Sequence, residues 1–452
     1  MKFNSKVIKA LIIILALLVA LLIINMIFMS KSYSHRLSHE ILQKEQLSAN
    51  LSEKTALLAS AQSRNTELEK KLGETEEYYL GYYKGIIEQN EEELKELAEN
   101  NDKLKLALEK HKENEGFDIT KLIAIGDEIR DIAENKFPLV RVEKCEEEIK
   151  AELEEAEDKE DIYYHKWVDA STYAEEGKKT YGSACNDKIT KAELVAKTDA
   201  KAPNVAVYYE DLTTGYRYSY NGDYVFDSAS VMKAPYVTAI LSAADKYENG
   251  EIEASDSDER YSKESLDEMF NLEDKIILDH ETMDVKGSGV LSKADDGSEY
   301  TYKELMALAL NKSDTIALSL LKERFTSKWY FAFARESGAK APLSQTNKMS
   351  VNDAGKLFKS IYYFTLENEK YGDFVKESMT DSSHKVLSQR VFGKSAAHKY
   401  GWDKLAYHDA AIVYGEYPYI AIVFTDLDCG SAADGYVREL FTGIKKMHEF
   451  FH

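Results

Sequence analysis

Residues 10–29, ALIIILALLVALLIINMIFM, run for twenty positions with no charge and one polar side chain, Asn25. An α-helix of that length spans the roughly 30 Å hydrocarbon core of a bilayer. A cleaved leader would have a shorter apolar segment closed by small residues, whereas this one closes on IFMSKS. Lys2, Lys6 and Lys9 precede the run, and Lys31 and Arg36 follow it. That excess of positive charge marks the N-terminal side as cytoplasmic. The expectation is a single-pass anchor in the cell membrane, residues 1–34, with all that follows outside the cytoplasm.

Residues 35–115 contain no proline and repeat apolar side chains at three and four. With Leu47 at heptad position d, Leu51, Leu58, Leu72, Tyr79 and Ile86 fall at a, and Ala61, Leu68 and Tyr82 at d. Asn65 also falls at a, where a buried Asn fixes register in parallel dimers. Leu94, Leu97, Leu104 and Leu108 continue the seam one residue out of phase. Lys54, Thr75 and Gln89 at d favour the competing reading, a lone solvated helix. The pattern as a whole predicts a coiled coil, and hence a homo-oligomer. A net charge of −22 excludes a nucleic-acid partner, since phosphate binding needs a basic surface.

Residues 116–184 keep a helical composition and read as a helical spacer with a corner at Pro138. Their acidic run, EEEIKAELEEAEDKED, lacks the Gly and Asn of a calcium loop and reads as a solvated helix face. The three cysteines, Cys145, Cys185 and Cys429, match no metal motif; Cys145 and Cys185 form one disulfide or remain free thiols. No metal and no cofactor is expected.

The character changes at about residue 185. NVAVYYEDLTTGYRYSYN alternates β-branched and aromatic residues about the turn DLTTG, a hairpin signal. AAIVYGEYPYIAIVFTD reads as two more strands, and GYVRELFTGIKKMHEFF as a closing amphipathic helix. Between them lie helical stretches, among them TYKELMALALNK, DTIALSLLKERF and SVNDAGKLFKSIYYF. Strands at both ends and helices between them predict one α/β (α+β) domain, residues 185–452: an antiparallel sheet flanked by helices.

Four Ser-x-x-Lys pairs occur: Ser230/Lys233, Ser319/Lys322, Ser337/Lys340 and Ser382/Lys385. Ser230, in FDSASVMKAPYV, sits where a strand hands over to a helix, with Ser228 available as a cap and Pro235 in the first turn. Positions i and i+3 share a helix face, so the Lys233 amine can take the proton that makes Ser230 a nucleophile.

With SVMK at 230–233, SDT at 313–315 and KYG at 399–401, the sequence resembles the superfamily of class A β-lactamases and penicillin-binding proteins. The resemblance covers about residues 185–452. It implies a β-lactamase-like serine hydrolase acting on β-lactams or peptidoglycan-like amides. It makes Ser230 the acylated nucleophile and Lys233 its proton acceptor. Ser313 would relay a proton to the leaving group, and Lys399 would bind the substrate carboxylate. The backbone N–H groups of Ser230 and Trp402 would form the oxyanion hole, with Thr315, Tyr400 and Gly401 lining the substrate site and Asp314 a structural acceptor.

Three departures qualify it. Thr315 stands where the family has Asn, and Tyr400, in place of Thr, adds bulk at the mouth of the site. The stretch APLSQTNKM holds no carboxylate where class A enzymes carry the glutamate that activates water. Ser230 is therefore expected to be acylated more readily than it is freed. The competing reading is an inactive β-lactamase-like binding module on a coiled-coil stalk.

Overall fold

The computed structural model describes residues 118–144, 146–155, 164–172, 201–255, 258–281 and 288–452. The expected membrane span, the coiled coil, Cys145 and Cys185 lie outside these residues. Among the described residues no helix is long and apolar enough to cross a membrane.

In chain order the strands are β1 Leu139–Glu143, β2 His165–Asp169, β3 Val205–Asp211, β4 Arg217–Tyr220, β5 Phe226–Asp227, β6 Lys275–Ile277, β7 Glu299–Thr301, β8 Lys348–Met349, β9 Ala396–Asp403, β10 Ala406–Val413 and β11 Tyr419–Thr425. The centre is a five-stranded antiparallel sheet, ordered β4-β3-β11-β10-β9. Strand β3 (Val205–Asp211) and β4 (Arg217–Tyr220) form the hairpin expected at DLTTG, and Gly215 takes φ 75° in its turn. Strands β9 (Ala396–Asp403), β10 (Ala406–Val413) and β11 (Tyr419–Thr425) come from the far end of the domain. β11 joins β3 in the register Val423↔Val207, so the first and last strands meet in the middle of the sheet.

Period-two alternation divides each strand between two cores. Ala206, Tyr208, Ala410, Ile412, Ile420 and Ile422 face a core shared with the helices between the strand groups. Val207, Tyr209, Ala411, Ala421 and Val423 face a second core under the closing helix Ser431–Phe451. β10 and β11 are buried along their whole length because both faces are covered. Glu210, 1% exposed, is satisfied by Tyr208 Oη at 2.6 Å and by Arg217 and Lys359, each at 3.0 Å.

The reading of 116–184 as a helical spacer is corrected in two ways. Residues Ile119–Asn135 are helical, as composition implied, but the helix belongs to the domain's second core. Ile129 and Ile132 are buried there, and a Cβ on Gly443 would lie 2.6 Å from Ile129 Cγ1, so the two helices touch through that glycine. Tyr218 Oη donates to Gly126 O at 2.9 Å and Tyr436 Oη to Ala133 O at 3.1 Å. Beyond Pro138, Leu139–Glu143 and His165–Asp169 are strands paired with each other, with Val140, Val142 and Val168 in a small core of their own. Between them, among the described residues, Glu146–Glu155 is helical.

The fully buried Ile129 makes the attachment testable. Ile129→Ala is expected to destabilise the folded domain by about 2–5 kcal/mol, read as a lowered denaturant midpoint with an unchanged slope. An unchanged midpoint would show the helix to be a detached spacer after all.

Candidate active site

Strand β5 (Phe226–Asp227) leads into the 3₁₀ turn Ala229–Met232, which runs into helix α3, Lys233–Glu248. We number helices in chain order, with α1 Ile119–Asn135 and α2 Glu146–Glu155 preceding it. β5 pairs with a strand at Lys348–Met349, and Ser228 N donates to Asn347 O at 2.7 Å. Ala229 takes φ 44°, a left-handed conformation that costs a non-glycine residue on the order of 1–3 kcal/mol. Ser228 does not cap the helix with its side chain. Its own backbone is already helical, at φ −69° and ψ −11°, whereas a capping hydroxyl needs an extended residue beneath it.

The edge strand β9 closes on this turn. A Cβ on Gly401 would lie 2.9 Å from Ser230 N and 3.0 Å from Ser228 O and Val231 N. All three are backbone atoms, so only glycine lets the strand approach the Ser230 turn. Trp402 follows, with its side chain 53% exposed and its backbone next to this contact.

The second motif arrives from the helical region. Helix Tyr302–Ala307 ends in a π-turn, Leu308–Lys312, and Ser313 then takes φ 56° and ψ 30°. Asp314, fully buried, caps the next helix, Thr315–Phe325, by accepting from Ala317 N at 2.9 Å. Its other oxygen accepts from Leu291 N at 2.8 Å. A Cβ on Gly289 would fall 2.3 Å from that oxygen, which explains the glycine in VKGSGVL.

Two buried lysines meet Ser313. Lys233 Nζ donates to Ser313 O at 2.5 Å and to Thr315 Oγ1 at 3.3 Å. Lys399 Nζ donates to Ser313 Oγ at 2.8 Å and to Tyr400 O at 2.9 Å. Burial pushes Lys233 down to about 8, with Lys322 adding to the shift and Asp314 opposing it. Burial, with the charge of Lys233, also drives Lys399 well below its ordinary value, against the pull of Asp409.

Ser230, Lys233, Ser313, Thr315, Lys399, Gly401 and the Trp402 backbone therefore gather around one turn, with three differences from expectation. Among the described residues no hydrogen bond joins Lys233 to Ser230, because the amine is anchored on the second motif. Lys399 is fully buried, with its amine donating to Ser313 Oγ and no surface open to a substrate carboxylate. Tyr400 is 8% exposed, its ring against His384 with centroids 4.4 Å apart, so its bulk is packed inward.

Sequence reasoning missed several neighbours. Lys322, which helps lower Lys233, belongs to one of the discarded Ser-x-x-Lys pairs. Ser288 Oγ lies 3.4 Å from Thr315 Oγ1. Behind Lys399, His398 Nδ1 and Asp409 Oδ1 form a fully buried pair at 2.8 Å. None carries a local signal, because each is defined by partners distant in sequence.

No curated protein matches the chain. Among solved structures it is similar to PBP-A, at 19% identity over 55% of this chain and 90% of that one, with a TM-score of 0.45. It is similar also to the β-lactamase of Sphaerobacter thermophilus, at 18% identity over 55% and 93%, TM-score 0.45. The chromosome-encoded β-lactamase of Vibrio parahaemolyticus gives 18% over 55% and 94%, again with a TM-score of 0.45. The model of the β-lactamase enzyme family matches residues 186–256 and 260–436, more than half of the chain. On that match the chain belongs to the β-lactamase enzyme family.

Proposed function

We propose that this chain is an extracytoplasmic serine hydrolase acylated on Ser230 by β-lactams or by peptidoglycan-like amides, and released slowly. The observation that supports it most is the convergence of two buried, pKa-lowered lysines on Ser313 beside the Ser230 turn. An inactive binding module has no use for two desolvated amines, each of which works against stability. In this reading residues 10–29 anchor the chain in the cell membrane, and residues 35–115 pair copies of it into an oligomer.

Ser230 Oγ attacks the carbonyl carbon of the amide, and its proton passes to neutral Lys233. The backbone N–H groups of Ser230 and Trp402 receive the developing oxyanion. As the C–N bond breaks, the leaving nitrogen takes a proton from Ser313 Oγ, which recovers the one that Lys233 took from Ser230, while Lys399 holds Ser313 Oγ in place. Thr315 holds Lys233 in place. Release of the ester requires a base for water, and residues 337–349 contain no Asp or Glu. Lack of such a base slows that step by roughly 10²–10⁴-fold.

Incubation of the chain with a penicillin is expected to give a long-lived adduct of one penicilloyl mass on Ser230, absent from Ser230→Ala. Equal masses with and without the drug in both proteins would sink the proposal.

Since Lys233 works as a base only when neutral and titrates at about 8, the acylation rate is expected to rise about tenfold from pH 7 to pH 9 and then level off. A flat or falling profile would remove Lys233 from that role. Gly401→Ala is expected to keep the circular dichroism spectrum and to lose on the order of 10²-fold in acylation, since its Cβ displaces the nucleophile's backbone. Wild-type rates in that variant would mean that β9 does not position Ser230.

A further inference from the structure

On the far side of the sheet, the closing helix α11 carries His448, and His452 follows directly on its last residue, Phe451. (Between α3 and it, in chain order, α4 to α10 are Lys263–Met269, Tyr302–Ala307, Thr315–Phe325, Lys328–Glu336, Val351–Glu367, Gly372–Thr380 and Ser388–Phe392.) Side chains four apart share a helix face. Here that face looks onto Asp211, the last residue of β3, which is fully buried. His452 Nε2 lies 2.6 Å from Asp211 Oδ2, and His448 Nδ1 lies 3.7 Å from the same oxygen. One donor atom from each of the three residues falls within 4.8 Å of the others.

From this convergence we propose that Asp211, His448 and His452 bind a divalent transition metal of the zinc type. Two imidazoles and a carboxylate suit Zn²⁺, which takes such donors at about 2.0–2.2 Å and so needs about 3.3–3.5 Å between them. The donors straddle that separation, at 2.6 Å and 3.7 Å from the shared oxygen and within 4.8 Å throughout, so side-chain rotations complete it. A water fills the fourth position, with Tyr209 Oη 3.1 Å from His448 Nδ1 available to orient it.

The surroundings hold the three side chains ready, as metal ligands require. Asp211 Oδ1 is occupied by the N–H groups of Thr213 and Thr214, both at 2.8 Å, which turns Oδ2 toward the helix. The His452 ring stacks on Tyr417 at 3.9 Å and 11°, and the His448 ring on Tyr419 at 3.9 Å. A simple ion pair would need only one histidine. A second one, clamped by its own tyrosine and directed at the same oxygen, is what a chelate requires.

The role is structural. In the order β4-β3-β11-β10-β9, Asp211 lies three strands away from β9 and Ser230. The ion would fasten the end of α11 to the β3–β4 turn and so close the second core. In the sequence the pair appears as HEFFH, two histidines four apart with no cysteine beside them and the carboxylate more than two hundred residues away.

The test uses the 452-residue chain stripped with EDTA and titrated with Zn²⁺ alone, followed by calorimetry and by the thermal midpoint. One equivalent with a dissociation constant of about 10 µM or below, and a midpoint raised by several degrees at hundredfold excess, is the expected result. Co²⁺ in its place is expected to give the visible bands of a tetrahedral site. His452→Gln, at the very end of the helix, and the double variant with His448→Gln are expected to lose at least tenfold in affinity and the midpoint rise, with acylation of Ser230 unchanged. Absence of saturable binding, or one equivalent retained by the double variant, would overturn the proposal.

Discussion

Ser313 sits between two lysines that are both removed from water, and the rest of the domain is arranged around keeping them there. Lys233 is 2% exposed and Lys399 fully buried. An isolated ammonium in such a place is unfavourable by several kcal/mol, and the favourable response is to shed its proton. Asp314, the carboxylate that acts on Lys233, is turned away: its oxygens accept from Ala317 N and Leu291 N. Had it met the amine directly, it would have favoured the charged form of Lys233. In the proposed reaction the helix cap and the neutral state of Lys233 are thus one arrangement viewed from two sides.

That arrangement is strained as well as desolvated. Ala229 and Ser313, one next to the nucleophile and one between the lysines, both adopt left-handed backbone. Together they cost a few kcal/mol that the surrounding packing must offset. The offset is visible in α3, where Val237, Ile240, Leu241 and Ala244 are completely enclosed, and in the sheet buried on both faces. Gly401 converts this rigidity into position, since β9 cannot move toward α3 without striking the backbone of Ser230. α1, packed on α11, covers the second core and makes residues upstream of the family match part of the same folding unit.

Much of this was legible in the sequence wherever the signal was local. The β3–β4 hairpin, the β10–β11 pair and α11 follow from residue periodicity and turn chemistry, and the three motifs named the residues that gather around Ser230. The short strands Leu139–Glu143 and His165–Asp169 were hidden by the acidic stretch that separates them, because average composition outweighs a two-residue alternation over five positions. The direction of Lys233, the enclosure of Lys399 and the packing of Tyr400 on His384 depend on segments eighty or more residues apart or on an adjoining loop. No window along the chain contains them.

The same reasoning bears on the missing carboxylate. In residues 337–350 the chain makes a tight turn at Gly338, φ 73°, and a short helical turn, Ala341–Ser344, before pairing with β5. Asp353 gathers Lys340 N at 2.7 Å and the Ser350 hydroxyl at 2.9 Å, drawing the segment against its following helix. Asn347 is held to Asp227 at 2.9 Å, three residues before the nucleophile. The segment thus braces the Ser230 turn. In the proposed reaction, positioning of the serine and hydrolysis of its ester would compete for this stretch, since backbone that braces the turn cannot also form a loop over an acyl group.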